Sequence, residues 1–226
     1  METIPTLFLD IWIDYICPFS YMQLPVIEQF QQVYGPAVAV RWHPFELRPE
    51  PMPLPPDDAP ERIEAWARTV YPTAAERGVS LRMPPVMPRS RLAFETAHFA
   101  GAVGRFDEVH RALFDAFFQD GANLGEVDTL IRIAASCGVD AEGLREALEL
   151  GRYTDIVLEH QALARQVGVE GLPYMMLSRP RGAEGPSQPP IVLRGVAPLQ
   201  HFHAAVKRLF PEGYRASKIR IVENLP

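Results

Sequence analysis

The stretch "DIWIDYICPFSY", residues 10–21, decides the fold. It reads as a β-strand that ends on Cys17, after which Pro18 opens a helix. The strand spans Thr6 to Ile13 and is rich in β-branched and aromatic residues. Pro18 suits the first turn of a helix, where its missing N–H costs nothing. That helix is expected to reach about Tyr34, with Met22, Val26, Ile27 and Phe30 on one stripe and Gly35 as its stop. Pro25 lies inside it and is expected to kink it. Ala37 to His43 then alternates as a second strand. Strand, helix and strand with short links form a βαβ unit, whose two strands should be parallel.

Beyond this unit the chain changes character. Seven prolines fall between Pro44 and Pro60, each removing a backbone donor, so the stretch reads as an extended connection. From about Asp57 to Val167 the periods are helical. Phe106, Val109, Leu113 and Phe117 form one stripe; Val127, Leu130, Ile131 and Ala134 form another, stopped by Gly138. Asp140 is placed to cap a short helix carrying Leu144, Ala147 and Leu148. A further stripe runs from Tyr153 through Ile156, Val157, His160 and Leu163 to Val167, stopped by Gly168. The prolines between Tyr71 and Pro88 mark that segment as loop. Strand signals return at Pro173–Leu177 and Ile191–Arg194, joined by the turn-rich Arg179–Pro190, which reads as a mobile hairpin loop. Leu199 to Leu209 is the last helix, with Phe202, Ala205, Val206 and Leu209 inward. Arg215 to Pro226 reads as a tail, either packed on the body or disordered. The fold class is therefore α/β: a sheet unit made of residues 1–56 and 168–226, split by an all-helical insertion over 57–167.

Composition narrows the function classes. Hydrophobic residues at 47% and charged residues at 22% of the 226-residue chain are ordinary globular values. The formal net charge of −6, with no basic stripe, argues against nucleic acid as a partner. No apolar run is long enough for a transmembrane helix. The N-terminal segment has neither a basic start nor a small-residue cleavage site, so the expected compartment is the cytoplasm. Two cysteines, Cys17 and Cys137, are too few for a disulfide framework and fit a reducing environment.

Cys17 carries the strongest chemical signal. A cysteine at a helix start sits beside free backbone N–H groups and the positive end of the helix dipole, and both favour the thiolate. The competing reading is an ordinary buried cysteine. Ser20 lies one turn on along the same face. Its hydroxyl can donate a hydrogen bond to a thiolate, but it cannot form a disulfide. It also fits as a small polar residue tolerated in a first turn. Phe19 and Tyr21 are placed to shape a cleft, with Tyr15, Phe45 and Glu46 as further candidates. Cys137 falls in an apolar helical pattern and reads as a core residue. The six histidines (His43, His98, His110, His160, His201 and His203) show no metal spacing, so no metal is expected. No phosphate-binding glycine loop and no serine-hydrolase elbow is present.

Several of these segments resemble the DsbA-like branch of the thioredoxin superfamily, and the FrnE-like cytoplasmic oxidoreductases in particular. Asp14-Tyr15-Ile16-Cys17-Pro18-Phe19 resembles the family's active-site entry, which typically reads Asp-x-x-Cys-Pro-Trp-Cys. Trp42-His43-Pro44-Phe45-Glu46-Leu47-Arg48-Pro49 is similar to its exit from the second strand. Ser90-Arg91-Leu92-Ala93 and residues 113–138 are similar to its insertion helices. Val167-Gly168-Val169-Glu170-Gly171-Leu172-Pro173-Tyr174 is similar to its Gly-Val-x-Gly-Val-Pro loop. The resemblance covers nearly the whole chain, and the neighbouring families are the 2-hydroxychromene-2-carboxylate isomerases and the kappa-class glutathione transferases. It implies a thioredoxin fold with a helical insertion. It also implies a cis Leu172–Pro173 bond facing Cys17, and a substrate or thiol site built from Pro18, Phe19, Leu172 and Pro173.

Ser20 is the departure, since FrnE-like members usually carry a second cysteine there. The resemblance then implies a thiol-disulfide oxidoreductase working through Cys17 alone, on a protein or small-molecule disulfide. An external thiol such as glutathione would act as co-substrate, with no tightly bound cofactor and with a homodimer allowed. Two other readings stay open. One is a glutathione-dependent isomerase or transferase acting on a hydrophobic small molecule. The other is a non-enzymatic module holding a peptide at the cis-proline edge.

Overall fold

The computed structural model describes residues 6–180, 188–211 and 214. Strand β1 (Leu7–Ile13) lies at the centre of the sheet. It pairs in parallel with β2 (Val38–Pro44) on one side, in the register Leu7↔Val38 through Ile13↔Pro44. On the other side it pairs antiparallel with β3 (Tyr174–Ser178), which pairs antiparallel with β4 (Ile191–Arg194). The order β2-β1-β3-β4 puts the strand that leads to Cys17 beside the strand that follows Pro173. The end of β1 and the start of β3, at Trp12 and Tyr174, are thus brought together by the sheet itself.

Helix α1 (Pro18–Tyr34) follows β1 after a tight turn and ends at Gly35, whose φ of 55° suits a residue without a Cβ. It runs unbroken across Pro25. Leu7, Leu9, Ile11 and Ile13 alternate onto one face of β1 and are fully buried. There they join Met22, Ile27 and Phe30 of α1, and Phe202, Val206 and Leu209 of the last helix, α9 (Leu199–Leu209), in one core. Asp10 and Trp12 point to the opposite face. Ordering these elements is driven mainly by this burial, at roughly 25 cal/mol per Å² of apolar surface.

Between β2 and β3 every regular element among the described residues is helical. The helices are α2 (Pro60–Ala65), α3 (Tyr71–Arg77), α4 (Arg91–Ala102), α5 (Phe106–Phe118), α6 (Val127–Ser136), α7 (Ala141–Glu149) and α8 (Thr154–Val167). The Asp140 side chain accepts the Gly143 N–H at 2.8 Å and caps α7, as its position suggests. The segment from Tyr71 to Pro88, read as loop, is corrected in its first part, because α3 occupies Tyr71–Arg77. A π turn over Trp66–Val70 precedes it and the Tyr71 N–H bonds to the Trp66 carbonyl, so Pro72 falls in a first turn that needs no N–H from it. Residues 1–5 and 215–226, and the middle of the Arg179–Pro190 loop, lie outside the described residues.

Helix α8 ends at Gly168, which has φ +80° and no atom near the place of a Cβ. A Gly168→Ala substitution therefore meets backbone strain and no clash, and should lower the unfolding free energy by about 1 kcal/mol. Urea denaturation checks this; an unchanged midpoint would show that the turn relaxes freely.

Candidate active site

Cys17 occupies the N-cap of α1, with its N–H on the Asp14 carbonyl at 3.0 Å and its own carbonyl accepting the Tyr21 N–H. The structure places it in a small cluster with Trp12, Ala164, Val169, Leu172 and Tyr174. Phe19, Phe45 and Val167 pack around that cluster. The Leu172–Pro173 peptide is cis, Pro173 is buried, and its carbonyl accepts the Gly195 N–H. Pro18 stands at the first helical turn, half-buried. Cys17, Ser20, Phe19 and Leu172 thus converge, although they come from distant parts of the chain.

The thiol itself departs from expectation. Cys17 is only 4% exposed. Burial pushes its thiol up to about 11, against hydrogen bonds from the Ser20 hydroxyl and from the Ser20 and Phe19 N–H groups. The charge of Asp14 adds to the rise. The helix start does aim donors at the sulfur, but desolvation of an anion inside an apolar cluster outweighs them. The resting form is therefore the neutral thiol, not the thiolate that the helix start alone suggests. Ser20 is fully buried, and its oxygen also lies 3.4 Å from the Asp14 N–H, so it is held in place beside the sulfur.

Asp14 has a larger role than its place in the motif suggested. Its side chain is fully buried and accepts the N–H groups of Ile16 at 3.2 Å and Leu47 at 2.7 Å. It thereby ties the turn before Cys17 to the exit of β2. Burial pushes its carboxyl up to about 7, opposed by the Leu47 and Ile16 N–H groups and reinforced by Glu46. Gln161 of α8 fixes the same exit: its amide accepts the Glu46 N–H at 2.7 Å and donates to the Glu46 carbonyl at 3.2 Å. Three residues further along, Ala164 lies in the Cys17 cluster. Nothing in local sequence marks Gln161, because its partner is a backbone segment far along the chain.

Other candidates sort differently. Phe45 does border the Cys17 cluster, whereas the Glu46 carboxylate turns to Arg91. Tyr15 leaves the cleft for the main core, where its hydroxyl meets His110 Nδ1 at 2.9 Å and its ring packs on Phe94 and Phe114. Tyr21 stacks on Phe118 and donates to Asp115. Trp12 was missed; it walls the Cys17 cluster, stacks on His43 at 4.6 Å, and was legible as the residue opposite Ile11 and Ile13 in the strand alternation. Cys137 is a free thiol at the end of α6, packed against the large core and not in the Cys17 cluster. His43 pairs with Asp10 and His203 meets Tyr34. Among the described residues no group of His, Cys, Asp and Glu is arranged to hold a metal ion, and no helix is long and apolar enough to cross a membrane.

A cysteine on the strand-to-helix turn of a βαβ unit, facing a cis-proline loop on an adjacent strand, defines a thioredoxin-type site. The chain belongs to the family described as the DSBA-like thioredoxin domain, whose profile matches residues 8–207. It is 36% identical over 161 residues to the uncharacterized protein YwbO of Bacillus subtilis, covering 70% of this chain and 78% of that one. Among solved structures it is similar to a probable DsbA oxidoreductase from Streptomyces coelicolor, with a TM-score of 0.72 at 22% identity over 95% of this chain and 94% of that one. It is also similar to a 2-hydroxychromene-2-carboxylate isomerase, with a TM-score of 0.68 at 18% identity over 91% and 97% of the two chains. At these identities the two structures establish the shared fold.

Two outcomes test the electrostatics. Alkylation of Cys17 by iodoacetamide, followed on its own peptide by mass spectrometry, should rise roughly tenfold per pH unit from pH 7 to 9 without a plateau. A plateau already reached below pH 7 would mean a stabilised thiolate. For Asp14 the folded-state value is raised, so its stabilising contribution is complete below its ordinary value of 3.8 and is lost as pH rises through about 7. Asp14→Asn should therefore lose less stability than the wild type between pH 5 and 8, and should move the Cys17 alkylation profile to lower pH. Identical pH dependence of Tm in the two proteins would remove Asp14 from this account.

Proposed function

We propose that the protein is a DsbA-type thiol-disulfide oxidoreductase that works through Cys17 alone and returns to its resting form with an external thiol such as glutathione. The observation that carries this reading is the convergence of Cys17, the Ser20 hydroxyl and the cis Leu172–Pro173 segment in one cluster, with a serine where a local resolving thiol would stand. The Cys17 thiolate attacks one sulfur of a disulfide, forms a mixed disulfide and releases the other sulfur as a thiolate. A glutathione thiolate then attacks the substrate sulfur of the mixed disulfide, releases Cys17 as thiolate and leaves a substrate–glutathione disulfide. Backbone groups of the Leu172–Pro173 edge are suited to hold an extended substrate during this exchange. Because the resting thiol is neutral, the cover formed by Trp12, Val167 and Val169 must part, or be replaced by substrate, before the anion forms. Two free cysteines suit a reducing, cytoplasmic setting.

The same high thiol value favours a second reading. A neutral Cys17 with Ser20 beside it can donate hydrogen bonds to the thiolate of a bound glutathione, as a glutathione-dependent isomerase or transferase would require. Incubation with oxidised glutathione separates the two. The redox reading expects one glutathionyl group on the Cys17 peptide, none in Cys17→Ala, and a slower but persistent reaction in Ser20→Ala. No adduct at Cys17, together with calorimetric binding of reduced glutathione, would sink the redox reading and favour the second.

A further inference from the structure

The proline-rich connection between β2 and α2 takes no part in the chemistry at Cys17, yet it is pinned along its length. Arg89 donates to the carbonyls of Arg48 at 2.9 Å and Met52 at 3.0 Å, and pairs with Glu50. The buried guanidinium of Arg62 donates to the carbonyls of Asp57 and Pro84. The Asp57 carboxylate accepts the Met87 N–H at 2.7 Å. These contacts staple residues 45–59 to residues 78–89, two segments with little regular structure of their own. Between them lies a cavity of about 750 Å³, bordered by Leu54, Val86, Met87 and Leu92, with Glu46 and Arg91 among its polar residues. Pockets of roughly 300–1,000 Å³ take small organic ligands, and such pockets are usually pre-formed. Cys17 does not border this one.

The polar groups define what can enter. Each of the three carboxylates on the cavity has one oxygen engaged, Glu46 with Arg91, Glu50 with Arg89 and Asp57 with the Met87 N–H, and Arg89 and Arg91 are the two cations on its wall. Arg91 places Nε and Nη2 on a single Glu46 oxygen, both at 2.6 Å. Its Nη1 has no hydrogen-bond partner among the described residues and is not sealed from solvent. The nearby Glu95 carboxyl accepts from Thr154 through Oε1, while its Oε2 is buried with no hydrogen-bond partner among the described residues. A guanidinium offers only donors, so a ligand must bring an acceptor oxygen to it and an apolar body to the remaining wall.

We propose that this cavity binds a small apolar carboxylate, its head on Arg91 Nη1 and its chain against Leu54, Val86, Met87 and Leu92. The site lies behind the active-site turn. Glu46 forms part of its wall, and in the same loop Phe45 packs on the Cys17 cluster and Leu47 holds Asp14. An occupant therefore acts on Cys17 through residues 45–47. That last effect rests on the redox reading of Cys17, whereas the binding itself does not.

Octanoate and octylammonium, titrated by calorimetry into the full chain and into its Cys17→Ala variant, test the proposal. Octanoate should bind one saturable site in both proteins, roughly tenfold or more tighter than octylammonium, since only a carboxylate can accept the charge-assisted bond from Arg91 Nη1. Val86→Trp and Leu92→Trp fill the cavity from two sides and should abolish binding, with circular dichroism showing which of them folds as the wild type. Arg91→Lys keeps the charge but loses the planar fork, and should weaken octanoate several-fold. Absence of saturable octanoate binding, equal affinity for octylammonium, or full binding in a folded tryptophan variant would overturn the proposal. Failure to form a mixed disulfide at Cys17 would sink the redox reading and leave the octanoate result standing.

Discussion

The Asp14 carboxyl receives the N–H groups of Ile16 and Leu47, and the rest of the site depends on that contact. The sheet alone brings β1 and β2 side by side, but it does not fix the turn that leaves β1. Asp14 does so from inside the protein, where the buried Ile16 N–H would otherwise lack a partner. Gln161 repeats the device from α8 by bonding both backbone groups of Glu46. The turn before Cys17, the exit of β2 and the helix that covers the sulfur are thereby held as one unit.

That unit creates a conflict at Cys17. The start of α1 supplies donors and a favourable dipole to a sulfur anion, and Ser20 adds a hydroxyl. The same packing removes the water that an anion needs, and a buried carboxyl stands nearby. Burial wins, and the thiol stays neutral in the closed form. Chemistry at this sulfur is thus linked to whatever displaces its apolar cover. The cover is built largely from α8 and the loop after it, which turns at Gly168.

The helical insertion contributes more than apolar surface to the shared core. Its α4 supplies Arg91, which neutralises the buried Glu46, and its α8 supplies Gln161 and Ala164. An arginine–carboxylate pair whose carboxylate is buried is poor as a source of stability, because desolvation offsets most of its attraction. Here it ties the irregular exit of β2 to the start of α4. The proline-rich connection, which has few backbone donors of its own, is held in the same way by Arg62 and Arg89.

Most of the fold was legible in the sequence, since strand alternation, helical stripes and helix stops are local signals. Leu7 to Ile13, the helix from Pro18 to Tyr34 and the last helix from Leu199 to Leu209 stand within a residue of where those signals put them. The helix at Tyr71–Arg77 was hidden by Pro72, because a π turn ahead of it is a cooperative feature that no single residue announces. Cys17, Ser20 and Phe19 were legible from the strand-to-helix pattern, whereas Leu172 entered only through the family resemblance. The proton on Cys17, the carboxyl clamp of Asp14, the Gln161 latch and the turning of Tyr15 into the core were not legible. A local sequence sets which donors a sulfur meets, but its solvation depends on residues more than a hundred positions away. The sequence by itself therefore determined the topology and the place of Cys17 at a helix start, and only the tertiary structure, through burial, decided whether that sulfur meets water.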